Sequence, residues 1–222
     1  LFFRDVHHIF IYLVGDVAFV FVEVLLVTLI IHRVLEDREK RARMEKLHMV
    51  IGTFFSEVGM KLLAIMSAWD PAVEVIQREL AAGETTAEQK FDTVRARLQS
   101  HDVRLETGAV DWERVRSLLV SRREFLLRLL ENPTILEHES FTDLLQAVFH
   151  LTEELDARDD FQDLPDTDRR HLAGDARRVY GRLVRRWLAH MEHLKNNYPY
   201  LFSLSVRINP FDRGASPVVR EV

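Results

Sequence analysis

The hydrophobic and polar positions divide the chain unevenly, because residues 9–31 are apolar at almost every position. The exceptions are Tyr12, Gly15, Asp16, Glu23 and Thr28. At a rise of about 1.5 Å per residue this run reaches about 34 Å, which spans a hydrocarbon core of about 30 Å. A signal peptide has a shorter apolar region, and a soluble helix of this length keeps a polar face. We therefore predict a transmembrane helix over residues 9–31, with residues 1–8 as a short extracytoplasmic N-terminus.

The helical pattern continues beyond the apolar run without a break. Residues 32–69 contain no proline, and their apolar positions recur at helical spacing. Asp70 and Pro71 then act as a stop and a restart, because Asp70 can cap a helix whose first residue is proline. The sequence thus predicts a long juxtamembrane helix over residues 32–69, with a kink near Gly52.

The rest of the chain is helical in pattern up to residue 198. Four signals mark helix boundaries: the capping box of Thr85 and Glu88, the cap Asp111, the stop Asn132-Pro133, and the start at Ser140 with Asp143. No stretch alternates in the manner of a strand. We predict a cytoplasmic helical bundle over residues 70–198 and an extended C-terminal tail over residues 199–222. The predicted fold class is all-α, with one transmembrane helix continuing into the juxtamembrane helix and the bundle.

Charge on the two sides of the apolar run predicts its orientation. The run is preceded by Arg4 and followed by a basic group, Arg33, Arg38, Lys40, Arg41, Arg43 and Lys46. Because basic flanks stay in the cytoplasm, we expect the C-terminal bulk to be cytoplasmic. The chain has no cysteine, which excludes disulfides and thiolate metal sites.

Acidic and basic residues are segregated in the second half of the chain. Residues 131–168 hold twelve acidic residues and one basic residue, Arg158. The helix that follows is basic and carries Arg169, Arg170, Arg177, Arg178, Arg182, Arg185, Arg186 and Lys195. Such a helix can bind anionic lipid or nucleic acid. Because an acidic segment precedes it directly, and the net charge is −5, we expect pairing within the chain and no nucleic-acid partner.

Asp16 and Glu23 are the unusual residues of the apolar run. Seven residues apart, they lie only about 20° from alignment on a helix of 3.6 residues per turn, with Tyr12 near the same stripe. A carboxylate facing lipid costs several kcal/mol, so this stripe is expected to face protein or water. Two interpretations remain open: the acids hydrogen-bond to a partner helix, or they form a cation or proton path. The first needs only a partner helix, and we favour it.

Three small residues, Gly52, Ser56 and Gly59, form a row on the predicted juxtamembrane helix. A row of small residues lets another helix approach closely. The alternative is that Gly59 marks a bend. We favour close helix packing, because the flanking residues are rich in phenylalanine and leucine.

The sequence carries few signs of catalysis. Glu45 and His48 have the spacing of a di-iron ligand pair, and His190 and His193 also resemble metal ligands. A second Glu-x-x-His pair on an apolar face is missing, so these four residues are weak candidates. There is no glycine-rich phosphate loop, no G-x-S-x-G and no cysteine nucleophile. We expect no cofactor and no enzymatic activity.

Three stretches carry a resemblance when they are taken together: GDVAFVFVEVLLVTLIIHRVLEDREKR, KLHMVIGTFFSEVG and NNYPYLFSLSVRINPF. They resemble bacterial single-span inner-membrane proteins with a helical cytoplasmic domain and no assigned activity. The resemblance implies a bacterial inner membrane and implies nothing about chemistry.

Three functional hypotheses follow, in order of preference. The first is a membrane-anchored helical interaction protein, an accessory or scaffolding subunit, whose partners are membrane lipid and either a second copy or another membrane protein. The second is a homo-oligomeric cation or proton channel element that uses Asp16 and Glu23. The third is a metal-dependent helical-bundle enzyme.

Overall fold

The computed structural model describes residues 6–81, 86–99, 105, 110–136 and 138–219. These residues form helices, turns and short connections, and no strand occurs among them, so the all-α prediction is confirmed. The helices in chain order are α1 (Val6–Phe54), a π turn (Phe55–Gly59), α2 (Met60–Ser67), α3 (Pro71–Ala81), α4 (Ala87–Gln99), α5 (Trp112–Val120), α6 (Arg123–Leu130), α7 (Pro133–Leu136), α8 (Glu139–Asp156), α9 (Asp166–Asn197) and α10 (Pro199–Arg207).

The chain divides into two compact units, Leu1–Lys46 and Leu47–Val222. In the first unit, every side chain that the structure describes between residues 10 and 46 is exposed. The second unit begins inside the predicted juxtamembrane segment, because residues 47–69 contribute core side chains such as Phe54, Leu62 and Met66. The apolar residues in the second half of that segment are therefore part of the core of the second unit.

The core of the second unit is built around α9. This helix packs against α8, α10, α4, α2 and the π turn. The largest of its fully buried side chains are Trp187 and Tyr180. Trp187 packs against Phe91 of α4 and against Phe211, with ring centroids 5.9 and 5.2 Å apart. Burial of such aromatic side chains contributes strongly to the stability of a helical unit.

Helix boundaries follow the predicted caps at two positions and depart from them at two others. Asp70 accepts from Ala72 N at 3.1 Å and Asp111 from Arg114 N at 3.0 Å, which confirms both caps. The capping box lies one residue later than predicted. Thr86 Oγ1 accepts from Gln89 N, and Gln89 Oε1 accepts from Thr86 N. Thr85 lies outside the described residues.

The predicted start at Ser140 is wrong, since α8 begins at Glu139 after His138. Thr142, two residues later, donates instead to Ile135 O at 2.7 Å. This hydrogen bond links the first turn of α8 to α7, against which α8 packs.

The prediction of an extended tail over residues 199–222 is wrong for its first part. Pro199–Arg207 forms α10, with proline at the first helical turn where its missing N–H is not needed. Phe202 and Val206, four residues apart, are buried on one face of this helix, and Phe211 beyond it is fully buried. The apolar spacing and the aromatic anchors therefore favour a packed helix over an extended segment.

The kink near Gly52 stays a prediction, and a π turn begins three residues later, at Phe55. A Cβ built on Gly59 would lie only 2.6 Å from Phe55 Cδ1 and 3.1 Å from Phe54 Cε1. The Phe55 ring lies close to the Cα of Gly59, so any larger residue at this position would force that ring to shift. π turns of this kind are frequent at functional positions in helices.

We expect Gly59→Ala to lower the free energy of unfolding by about 1–3 kcal/mol, because the new methyl group displaces a buried ring. Gly174→Ala on α9 is the matched control, since its Cβ would meet no atom within 4 Å. It should stabilise by about 0.5–1 kcal/mol through helix propensity. Denaturant unfolding of both variants measures this. Equal effects of the two substitutions would show that the π turn does not require glycine.

Candidate functional site

The apolar run lies within α1, the helix that is long and apolar enough to cross a membrane by length and composition. No part of its most apolar stretch is buried within the described structure. Phe21 is 72% exposed and Tyr12 is 69% exposed. Side chains of this kind, exposed around the whole helix, are typical of a surface that another apolar phase covers.

The structure describes the side chain of Glu23 but only the backbone of Asp16. Glu23 is exposed and, among the described residues, has no hydrogen bond or ion pair with another part of the chain. The backbone of Asp16 is helical, while its side chain lies outside the described residues. The hydroxyl of Thr28 donates to Val24 O of the same helix at 2.7 Å, so this polar group is satisfied internally. Glu23 is thus the acidic side chain of the described run that needs an external partner.

The three small residues do not share one packing face. Gly52 lies against α9, because a Cβ there would stand 3.6 Å from His190 Cε1. Ser56 is exposed, whereas Gly59 is buried beneath a ring of its own turn. The π turn separates the three positions, since it changes the helical period between Gly52 and Gly59.

Three of the four weak metal candidates come together where α1 meets α9. The rings of His48 and His193 are stacked with centroids 3.4 Å apart and an angle of 7° between their planes. His190 stacks on Phe55 at 5.1 Å with an angle of 9°. We call His48, Phe55, His190 and His193 the histidine seam. The fourth candidate, Glu45, is exposed and belongs to the first unit.

A half-buried arginine continues the same face of α9. Arg186 precedes His190 by four residues and His193 by seven, so all three lie along one side of the helix. Its Nη2 lies 3.2 Å from His138 Nε2, and its Nη1 donates to Ser140 Oγ at 3.4 Å. Its Nε is buried without a hydrogen-bond partner in the described structure. Sequence reasoning named Arg186 only as part of the basic helix and missed His138, although the spacing of residues 186, 190 and 193 was a usable signal for Arg186.

The environment of the seam keeps its imidazoles neutral. Burial, followed by the nearby His193, Arg186 and His138, lowers the pKa of His48 to about 4. Burial, followed by His193, His48 and Arg186, lowers the pKa of His190 to about 4. The pKa of His193 is also lowered by burial. Three ring nitrogens, His48 Nδ1, His190 Nδ1 and His193 Nε2, are buried without a hydrogen-bond partner among the described residues.

The seam is poorly arranged for a metal ion despite its three neutral imidazoles. A metal lies near the plane of each imidazole that binds it, and the parallel planes of His48 and His193 do not meet. Within the described part of the chain, no three histidine or acidic side chains already enclose a position for a metal ion. The stacked rings therefore act as packing groups, and burial favours their neutral form.

The seam predicts a loss of stability in acid. At about pH 7 both states hold neutral imidazoles, and the full stability is present. Between pH 6.5, the ordinary histidine pKa, and about pH 4, the pKa of His48 and His190 in the folded protein, these two histidines are protonated in the unfolded chain and neutral in the folded chain. The free energy of unfolding then falls by up to about 1.4 kcal/mol per pH unit for each histidine.

Denaturant unfolding of the full chain between about pH 7 and pH 4 measures this slope. His190→Gln should give a shallower fall than the wild type, because glutamine does not titrate. His32→Gln changes an exposed histidine and serves as the control, with an unchanged slope expected. A slope unaffected by His190→Gln would contradict the burial of a neutral imidazole at this position.

Comparison with known proteins divides the chain at nearly the same place as its compact units. Residues 43–207 match the family model "Uncharacterized protein MJ1433, C-terminal helical domain". Residues 1–35 match the model "MJ1433, N-terminal helical domain". No solved structure matches the chain.

A curated relative agrees with both family models. The uncharacterized protein MJ1433 of Methanocaldococcus jannaschii is 45% identical over 212 residues, which cover 96% of this chain and 85% of that protein. This relative is archaeal, so the bacterial origin implied by the sequence resemblance is not supported. The two matches together cover most of the chain, and the chain belongs to the MJ1433 family.

Proposed function

We propose that the protein is a membrane-anchored helical interaction protein, an accessory or scaffolding subunit of a membrane complex or a homo-oligomer. The observation that carries the proposal is the exposed apolar surface formed by the described side chains of α1 between residues 10 and 31, among which Glu23 has no partner in the described structure. Hydrocarbon covers the apolar side chains, and a second helix covers the acid.

The partner helix is needed because of the cost of an isolated carboxyl group in lipid. In hydrocarbon, Glu23 is favourable only when it is protonated or hydrogen-bonded to another polar group. Its heptad neighbour Asp16 extends the same stripe along the helix. A second copy of α1 supplies equivalent groups, and another membrane protein with a polar residue at this depth does so as well.

The charged part of α1 supports one orientation of the anchor. Residues 32–46 are exposed and rich in arginine and lysine, with an ion pair of 3.9 Å between Glu39 and Arg43. Basic side chains next to a span favour the cytoplasmic face and attract anionic lipid headgroups. The proposal therefore places the second unit in the cytoplasm of a prokaryotic cell, as the part that meets other proteins.

The second unit is not assigned an enzymatic role in this proposal. Its described core is mainly apolar, and burial lowers the pKa of its seam histidines, whose rings are stacked. A compact helical unit with a charged surface can bind another protein. The membrane anchor would raise the effective concentration of this unit near partners in the same membrane.

A cation or proton channel element is the second candidate, because Asp16 and Glu23 lie about two turns apart on one stripe. Several copies of α1 around an axis would place Glu23 of each copy in a ring. Rings of acidic side chains select cations in known pores.

Substitution of the acids distinguishes the two candidates. Asp16→Asn with Glu23→Gln keeps hydrogen bonding and removes charge, so association should persist or strengthen. Leucine at both positions should weaken association about 5- to 30-fold, corresponding to about 1–2 kcal/mol for an interhelical hydrogen bond. Thr28→Val is the matched control, since that hydroxyl is satisfied within its own helix.

The measurements are the oligomeric state in mild detergent and cation flux into liposomes. If the acids form a conducting ring, the amide pair should abolish flux while assembly remains. Association that is unchanged by the leucine pair, in a wild type that conducts no cations, would contradict both candidates.

A further inference from the structure

The guanidinium of Arg186 is half-buried and has no acidic partner in the described structure. Two earlier arginines of α9 differ in this respect. Arg178 Nη1 lies 2.7 Å from Asp175 Oδ1, and Arg182 Nη2 lies 4.0 Å from Asp143 Oδ2. Burial also lowers the pKa of Arg186. A cation taken partly out of water without a counter-charge is costly, so an external anion would stabilise this position.

Three polar side chains meet around this charge. Arg186 Nη2 lies 3.2 Å from His138 Nε2, and Arg186 Nη1 donates to Ser140 Oγ at 3.4 Å. Ser140 Oγ also lies 3.4 Å from His138 Nδ1. The guanidinium, the imidazole and the hydroxyl therefore form a closed triangle of neighbours. We call Arg186, His138 and Ser140 the arginine cluster.

The chemistry of the arginine cluster leaves hydrogen-bond donors free for a ligand. A guanidinium has no acceptor, so its contact with His138 requires the lone pair of Nε2 and places the proton on Nδ1. Ser140 Oγ then accepts from both neighbours, and its own hydrogen is free to donate. Each Nη of Arg186 also carries a second hydrogen. The described cluster thus presents donors without a carboxylate to receive them.

The surroundings of the arginine cluster supply positive charge and no acid among the described residues. The ring centroid of Phe141 lies 5.7 Å from the guanidinium carbon, which supports one face of the cation without neutralising it. Glu139 is exposed and forms no ion pair in the described structure. On the side of the histidine seam, the charge of Arg186 helps to lower the pKa of His48 and His190.

The number and placement of these donors indicate the class of anion. Ser140 is exposed, and His138 and Arg186 are half-buried, so an anion can reach the cluster from solvent. A guanidinium fork contacts two oxygens of one anion, and the hydroxyl contacts a further oxygen. A carboxylate has too few oxygens for this arrangement, whereas a phosphate group has enough.

We propose that Arg186, His138 and Ser140 bind the terminal phosphate group of an anionic ligand. A free phosphate compound and an anionic phospholipid headgroup share this chemistry. All three residues belong to the second unit, so the site does not depend on the proposed membrane anchor. A bound phosphate would link α9 to the start of α8.

The test uses the full chain in a nonionic detergent and a phosphate-free buffer. Calorimetric titration with inorganic phosphate should show one saturable site per chain, and the melting temperature should rise with phosphate. Arg186→Gln should weaken binding by about tenfold or more, because the fork and the charge are both lost. His138→Gln with Ser140→Ala changes the outer groups of the cluster. This second variant should also weaken binding, with an unchanged circular dichroism spectrum.

Arg185→Gln is the matched control, since it removes the same charge from an exposed neighbour on α9. It should leave the phosphate affinity nearly unchanged. The inference is overturned if the wild type shows no saturable phosphate binding or if Arg186→Gln binds phosphate as well as the wild type. It is also overturned if Arg185→Gln loses as much affinity as Arg186→Gln.

A second titration, with the short phospholipid dihexanoyl phosphatidate, separates the two sources of phosphate. Binding about tenfold tighter than that of inorganic phosphate would identify a headgroup as the ligand, because the lipid backbone then adds contacts. Equal affinity would identify a free phosphate compound. Arg186→Gln should weaken the binding of both probes, and phosphatidate binding that this variant leaves unchanged would contradict the proposed site.

Discussion

The exposed apolar surface of α1 is the constraint on which the account depends. Side chains such as Phe21 and Leu25 are more than half exposed, and every described side chain between residues 10 and 46 is exposed. Apolar surface in water costs about 25 cal/mol for each Å², so an uncovered run of this length requires an apolar phase or a partner. The second unit differs, because its own helices close a core from Leu47 to Phe211.

Helix α9 organises the second unit and carries two unlike histidine sites. Near its start, His171 Nε2 lies 3.5 Å from Oδ2 of the buried Asp175. Near its end, His190 and His193 stack on rings, and burial with nearby cationic groups lowers the pKa of His190. The presence or absence of an acid explains the difference: the imidazoles near the start of the helix lie beside carboxylates, and those near its end pack against aromatic and imidazole rings.

The sequence predicted what local patterns determine, and it missed what depends on contacts between distant segments. The long helices and the caps Asp70 and Asp111 follow from spacing and side-chain hydrogen bonds. The π turn at Phe55 depends on a ring passing over Gly59, and α10 depends on core space that α4 and α9 leave. The pairing of His150 with Asp175 joins two helices, so no local pattern predicts it.

Extraction of the full chain from membranes tests the central claim most directly. Membranes that contain the protein are washed with alkaline carbonate and floated through a density gradient. If residues 9–31 lie in hydrocarbon, the protein should stay with the lipid, and protease treatment should leave a protected fragment that contains Glu23. Release of the whole chain into the wash as a folded, soluble protein would contradict the account.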